Sequence, residues 1–322
     1  MADNSSSLYM GRNEHLRTLY IIGNGFDIEL GYPTGYSDFI KSKEWEELAR
    51  KNPSSDLLQF IESNKTENWF DLEKALFKFA SNSVYSSVAE AERAVYKEIC
   101  HSLITYLIRI VKERQEYIHK LKENNIGNLF LSNLNIGQYC RCYSFNYTCF
   151  KYFYACVTNK CFLDDLPRPI NQHGYCGDLT GADKYEYDSI VLGIADKYAK
   201  QIGHKFEYML KSNNPQYHTT NLLSDLAIAE NIVIFGHSLN DMDSAYFEDF
   251  FSSLNKELQK KRRIIIITKN DKSVESIKHN MRNMGLDLQK LYSSVELEFF
   301  KTDELRNNKT KSREFVELLN KL

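Results

Sequence analysis

An α/β fold, a Rossmann-like parallel sheet with helices on both faces and an all-α helical insertion, is predicted for this 322-residue chain by three features. Short apolar runs such as Leu19-Tyr20-Ile21-Ile22 have the length and side chains of strands buried on both faces. Those runs alternate with stretches of helical periodicity, which parallel strands need as crossovers. Between residues 44 and 121 the alternation stops: glycine and proline are scarce, and Val95, Ile99, Leu103, Tyr106, Leu107 and Ile110 recur at helical spacing. The chain thus divides into a Rossmann-like core, 1–43 and 124–322, and an inserted helical subdomain, 44–123.

Taken in order, residues 18–23 form the first strand and residues 26–30 begin a helix. Tyr32-Pro33-Thr34-Gly35 breaks it, because proline fixes φ and glycine tolerates a turn. After the insertion, 139–145 is a strand and 148–157 an aromatic-rich helix. Residues 169–172 and 189–194 read as short strands, 200–210 and 216–229 as helices, and 231–235 as a strand. A helix carrying Phe247, Phe250, Phe251 and Leu254 on one face follows. Strand 263–268, helix 273–284, strand 295–301 and a C-terminal helix complete the pattern. The Ser/Asn-rich residues 1–16 read as loosely held.

Composition narrows the function classes. With 41 basic and 43 acidic residues the net charge is −2, which favours neither nucleic acid nor a membrane surface as partner. No apolar stretch reaches the length of a membrane span, and residues 1–12 are polar, so no secretory signal is expected and the cytoplasm is the expected location. Seven cysteines, an odd number without any C-x-x-C pair, read as reduced thiols in the core, and no metal site is expected.

Parallel strands end on one rim, and ligands of open α/β sheets bind there. Four strand exits carry polar residues. The first, Gly23-Asn24-Gly25-Phe26-Asp27, joins strand to helix in the manner of a phosphate-holding turn, or is simply a tight turn. Position 28 is Ile where the dehydrogenase fingerprint G-x-G-x-x-G has glycine, so hydride transfer is disfavoured. At the second exit Asn146 is either a ligand contact or a turn residue, and Thr148 is placed to cap the next helix. His173-Gly174 is a structural histidine or a base beside a glycine that admits a ligand. The fourth exit is Gly236-His237-Ser238, followed by Asp241 and Asp243. A helix dipole favours acids there, while one of the two is free to meet a ribose hydroxyl. Glu73 lies among Trp69, Phe70, Leu76 and Phe77 at helical spacing, and is read as turned inward with its pKa raised.

These motifs resemble the bacteriophage abortive infection AbiH family: Leu19 through Asp27, Pro33-Thr34-Gly35-Tyr36-Ser37-Asp38-Phe39, Trp69-Phe70-Asp71-Leu72-Glu73, Phe145-Asn146-Tyr147-Thr148, His173-Gly174 and Phe235 through Asp241, in that order along the chain. That family is remotely similar to the sirtuin-like fold. The likeness implies NAD, or a related nucleotide, as ligand or substrate. It implies an anti-phage role, with hydrolysis of the nicotinamide–ribose bond as the activity. The four zinc cysteines of deacetylating sirtuins have no counterpart beyond Cys176, and Thr148 stands where the sirtuin second loop often has aspartate, which argues against deacetylation.

On this reading Asn146, His173 and Glu73 form the catalytic set, with His173 as general base and Asn146 on the ribose or the attacking water. Gly23, Asn24 and Gly25, with Phe26 and Asp27, would meet the pyrophosphate side of NAD. Thr148, Gly236, His237, Ser238, Asp241 and Asp243 would complete the nucleotide contacts. A phage-derived trigger and a second copy of the chain are the candidate further partners. A non-catalytic nucleotide sensor remains the alternative; a nuclease-like toxin would want clustered carboxylates and a basic patch, which the sequence lacks.

Overall fold

The computed structural model describes residues 16–65, 71–114, 116–121, 124–134, 137, 139–158, 170–174, 189–254 and 262–322. The expectations for residues 1–15, Trp69, Phe70, Pro169 and Cys176 lie outside them. Strand β1 (Thr18–Ile22) runs into α1 (Asn24–Glu29) and α2 (Tyr36–Phe39). The helices α3 (Lys43–Lys51), α4 (Asp56–Asn64), α5 (Leu72–Ala80) and the long α6 (Ala89–Glu113) follow as the insertion. Ser42, Ser55 and Asp71 start three of them, each accepting the N–H of the third residue onward. Next come α7 (Ile126–Ser132), β2 (Cys140–Ser144), α8 (Phe150–Thr158), β3 (Ile170–Asn171), α9 (Thr220–Ile228), β4 (Asn231–Phe235) and α10 (Glu248–Leu254). The chain ends through β5 (Arg262–Thr268), α11 (Asp271–Asn283), α12 (Leu288–Ser294), β6 (Val295–Lys301), α13 (Thr302–Asn307) and α14 (Lys309–Leu319).

Among the described residues the strands form one parallel sheet in the order β3-β2-β1-β4-β5-β6. The order reverses direction beside β1, and that is the switch point at which a crevice opens in such sheets. Alternate side chains divide the core in two. Tyr20, Ile22, Val233, Phe235, Ile265 and Ile267 face the inserted helices and α7, α8 and α14. Leu19, Ile21, Ile232, Ile234, Ile264 and Ile266 face α9, α10, α11 and α12. Both faces are therefore covered, which explains the apolar runs of the central strands β1, β4 and β5. The insertion shares its core with the sheet: Leu57, Ile61, Leu76, Phe79 and Leu103 belong to the same cluster as Tyr20 and Ile22.

The register places the rim. Asn171 pairs with Ser144, Ser144 with Ile22, and Ile22 with Phe235, forming one lateral row. Two residues beyond that row stand His173, Asn146, Asn24 and His237, so four polar residues leave the sheet at one level. The ladder also extends one step past the strands through Gln172 N–H to Ser144 O, Phe145 N–H to Ile22 O and Gly23 N–H to Phe235 O.

Some expectations are corrected. Residues 189–194 make only isolated bridges, Gly174 to Ile190 and Ile194 to Leu210, and no ladder. Residues 200–210 form 3₁₀ turns, His204–Met209 with Lys211–Asn213 after it, and no α-helix. The Ile194 bridge explains this, because Ile194 N–H donates to Met209 O and Lys211 N–H to Ile194 O, taking groups a helix would have used. Helix α8 begins at Phe150, so Thr148 does not cap it; its hydroxyl donates to Asp27 instead.

The glycines of the first and fourth exits serve the fold. A Cβ on Gly23 would lie 2.5 Å from His237 Cα, and one on Gly25 would lie 2.8 Å from Gly236 Cα. Gly236 has φ +69°, and its Cβ would fall 2.2 Å from Phe26 N. Gly236→Ala is accordingly expected to destabilise the protein by roughly 2–5 kcal/mol, the left-handed backbone and the main-chain clash adding together. Urea unfolding checks this, and an unchanged midpoint would contradict it.

Candidate active site at the strand exits

Close packing of the first and fourth exits engages the main-chain donors expected to hold a phosphate. Gly23 N–H donates to Phe235 O and Gly25 N–H to Gly236 O, each at 2.8 Å, and Phe26 N–H to Gly23 O at 2.9 Å. Phe26 is a core residue, its ring edge-on to Phe130 and Phe235, rather than a ligand contact. What this loop offers a ligand is Asn24, whose side chain is exposed and whose Oδ1 accepts from Thr34 Oγ1 at 2.5 Å.

Asp27 turns under the rim instead of toward it. It is buried, accepts Asn146 Nδ2 at 2.6 Å on one oxygen and accepts the Thr148 hydroxyl on the other. Burial lifts its pKa to about 7, against the pull of those two hydrogen bonds. Anchoring the amide nitrogen has a consequence for the other end of the same group. Asn146 is 4% exposed, and its Oδ1 is a buried acceptor with no hydrogen-bond partner among the described residues. Such orphaned acceptors are uncommon in folded proteins, and one fixed at a strand exit is a position waiting for a donor.

The third and fourth exits meet at one carboxylate, Asp243. Its Oδ1 lies 3.0 Å from His173 Nε2 and 2.8 Å from Lys211 Nζ, and its Oδ2 lies 3.4 Å from His237 Nε2. His237 is fixed in tautomer: Nδ1 accepts Leu239 N–H at 3.0 Å, so Nε2 carries the proton that points to Asp243. That bond also holds Leu239, a non-glycine residue at φ +52°. His173 differs. Its Nε2 is near Asp243 but off the line of a hydrogen bond, so the nitrogen has no aligned partner. Poor alignment of this kind is common at catalytic groups before substrate binds. The imidazole sits between Phe145, Tyr147 and Tyr246 rings. Burial, with Lys211 adding, holds its pKa below the ordinary histidine range in spite of Asp243. Gly174 has φ +68°, and its Cβ would fall 2.0 Å from Ser189 O, so the close approach it permits is to the chain's own backbone.

The expected nucleotide acids separate. Asp243 is buried and its oxygens are occupied, so it orients the histidines rather than meeting a ribose. Burial works to raise its pKa, but Lys211 and the two histidines outweigh that and hold it well below the usual carboxylate range. Asp241 is at the surface, 3.3 Å from Lys197 Nζ. Ser238 is exposed, and its carbonyl accepts Asn280 Nδ2 at 2.9 Å. Glu73 does turn inward, 3% exposed; its partners are Lys211 Nζ at 3.1 Å and Gly193 N–H at 3.3 Å. Burial lifts it to about 8. Sequence reading missed Lys211, the only lysine among the buried polar residues described and fully enclosed at 0% exposure. It sits in an irregular stretch with no periodic or motif signal.

Among the described residues, no group of three or more His, Cys, Asp or Glu is placed to hold a metal ion, and no helix is long and apolar enough to cross a membrane. Comparison with curated proteins finds no match. A family model, Bacteriophage abortive infection AbiH, matches residues 19–267, from the second residue of β1 to the last but one of β5, and takes in every residue of the site. The chain belongs to the bacteriophage abortive infection AbiH family.

Proposed function

We propose that this protein serves phage defence by hydrolysing the nicotinamide–ribose bond of NAD, with His173 as general base and Asn146 as the residue that holds the water or the ribose. The observation that carries the reading is the pairing, on adjacent exits, of a buried amide oxygen without a partner among the described residues and a buried imidazole 3.0 Å from a carboxylate, its pKa pushed down by burial. In the reaction the C1′–N bond breaks and its electron pair returns to the pyridinium ring, releasing neutral nicotinamide. Water adds to the oxocarbenium-like C1′, and its proton passes to His173. Once Nε2–H is brought into line with Asp243 on substrate binding, the lone pair that takes the proton is on Nδ1, and Asp243 stabilises the imidazolium so formed. Asn146 Oδ1 accepts from the water or from a ribose hydroxyl. Asn24 and Ser238, both exposed on neighbouring exits, are left to meet the polar remainder of the dinucleotide.

Both catalytic side chains are nearly enclosed, at 4% and 5% exposure, so the exits must part to admit NAD. An enzyme shut until triggered would spare the host's NAD in uninfected cells. The test is to incubate the purified protein with NAD, with and without lysate from infected cells, and follow nicotinamide and ADP-ribose by chromatography. Release of both, lost in His173→Ala, is the expected result. NAD binding without release under every condition would favour a nucleotide sensor; no binding at all would overturn the nucleotide reading.

A further inference from the structure

Lys211 is brought to the site by the bridge that replaces the expected helix. Its N–H bonds Ile194 O at 2.9 Å, and it passes beneath Gly193, where a Cβ would lie 2.6 Å from Met209 O. The ammonium then stands between Asp243 Oδ1 at 2.8 Å and both Glu73 oxygens, at 3.1 and 3.2 Å. A buried carboxylate must be matched by a cation or take up a proton. Two imidazoles lie within 3.4 Å of Asp243, and without Lys211 either Asp243 takes up a proton or His173 becomes the matching cation.

We propose that Lys211 is a positioning residue for the reaction: by neutralising Asp243 it leaves His173 uncharged as a base, and through Glu73 it ties that state to the helical insertion. The mechanistic half rests on the function proposed above; the electrostatic half does not. Burial opposes the charge on Lys211, but Asp243 and Glu73 outweigh it and hold the ammonium above its ordinary range. With Glu73 protonated below about pH 8, Lys211 and Asp243 form one balanced pair and the cluster is neutral overall. Among the described residues the other titratable groups facing the cluster include Tyr147 and Tyr246 beside His173, Tyr217 near Lys211, Tyr36 and Tyr96 near Glu73, and Asp71 at the start of α5. Burial raises each of these, so the tyrosines stay neutral.

The experiment is NMR titration of the His173 imidazole in the full-length protein, assigned by its loss in His173→Gln. In the wild type the ring is expected to be neutral at pH 6.5, and a protonated ring at that pH would overturn the proposal without any variant. In Lys211→Met the midpoint is expected to rise by at least one pH unit, because the imidazole now supplies the missing cation; Lys211→Arg should keep the wild-type midpoint. Lys211→Gln, which can still donate to Asp243, serves where Lys211→Met fails to fold. An unmoved midpoint in either folded neutral variant would reduce Lys211 to a structural role. The acidic limb of any NAD-cleavage profile should move with the midpoint. A shifted midpoint in a protein that never cleaves NAD would uphold the electrostatic device and discard the hydrolase reading.

Discussion

Asn146→Ala is expected to lower NAD turnover by about a hundredfold or more while leaving the fold intact, since a positioned hydrogen-bonding group at the reacting centre is worth about that much. The variant removes the orphaned Oδ1 and leaves Asp27 still bonded to Thr148. A sharper version uses Asp27, which touches no substrate on this reading. Asp27→Ala strips Asn146 Nδ2 of its anchor and should approach the activity of Asn146→Ala. Asp27→Asn should restore most of it, because an asparagine oxygen still accepts Asn146 Nδ2 while its amide donates to a reoriented Thr148 hydroxyl. Steady-state kinetics with NAD and a thermal melt for each variant check the series. Full turnover in Asn146→Ala, or equal losses in Asp27→Ala and Asp27→Asn, would remove the role given to Asn146.

The same carboxylate carries the second expectation, a contribution to stability that falls as pH rises. Asp27 has a folded pKa of about 7 against an ordinary 3.8, so the native state holds its proton more tightly than the unfolded chain does. The contribution is complete below about pH 4 and is lost progressively up to about pH 7. At roughly 1.4 kcal/mol per pH unit across that window, ionising Asp27 costs the fold about 4 kcal/mol. Glu73 acts in the same direction between its ordinary 4.5 and about 8. Asp27→Asn isolates the first effect: it should match the wild type near pH 4 and exceed it by a few kcal/mol at pH 8 in urea unfolding. A wild type that gains on the variant as pH rises would show that the carboxylate is stabilised as the anion and that the pKa is depressed.

What the sequence determined by itself is the part of the protein governed by short-range periodicity. The apolar runs at β1, β4 and β5, and the helical spacing from Val95 to Ile110, leave little freedom in element type. Parallel order then follows from the alternation, and one rim follows from parallel order; the exits bearing Asn24, Asn146, His173 and His237 could be named before any coordinates. The glycines of the first exit drew attention for a sound reason, close approach, but a sequence does not say what approaches. Here it is the chain's own fourth exit.

Tertiary structure alone decided which polar groups face one another. Asp27 and Asn146 are 119 residues apart, and Lys211 and Glu73 are 138 apart. Whether a carboxylate anchors an amide or meets a ribose depends on where it lands, because burial in a low-dielectric interior makes a partner obligatory. Lys211 shows the limit most clearly. In a segment of bridges and 3₁₀ turns a lysine looks like solvent-facing chain, and only the fold, by closing three separate segments over it, turns it into the buried cation on which the state of His173 depends.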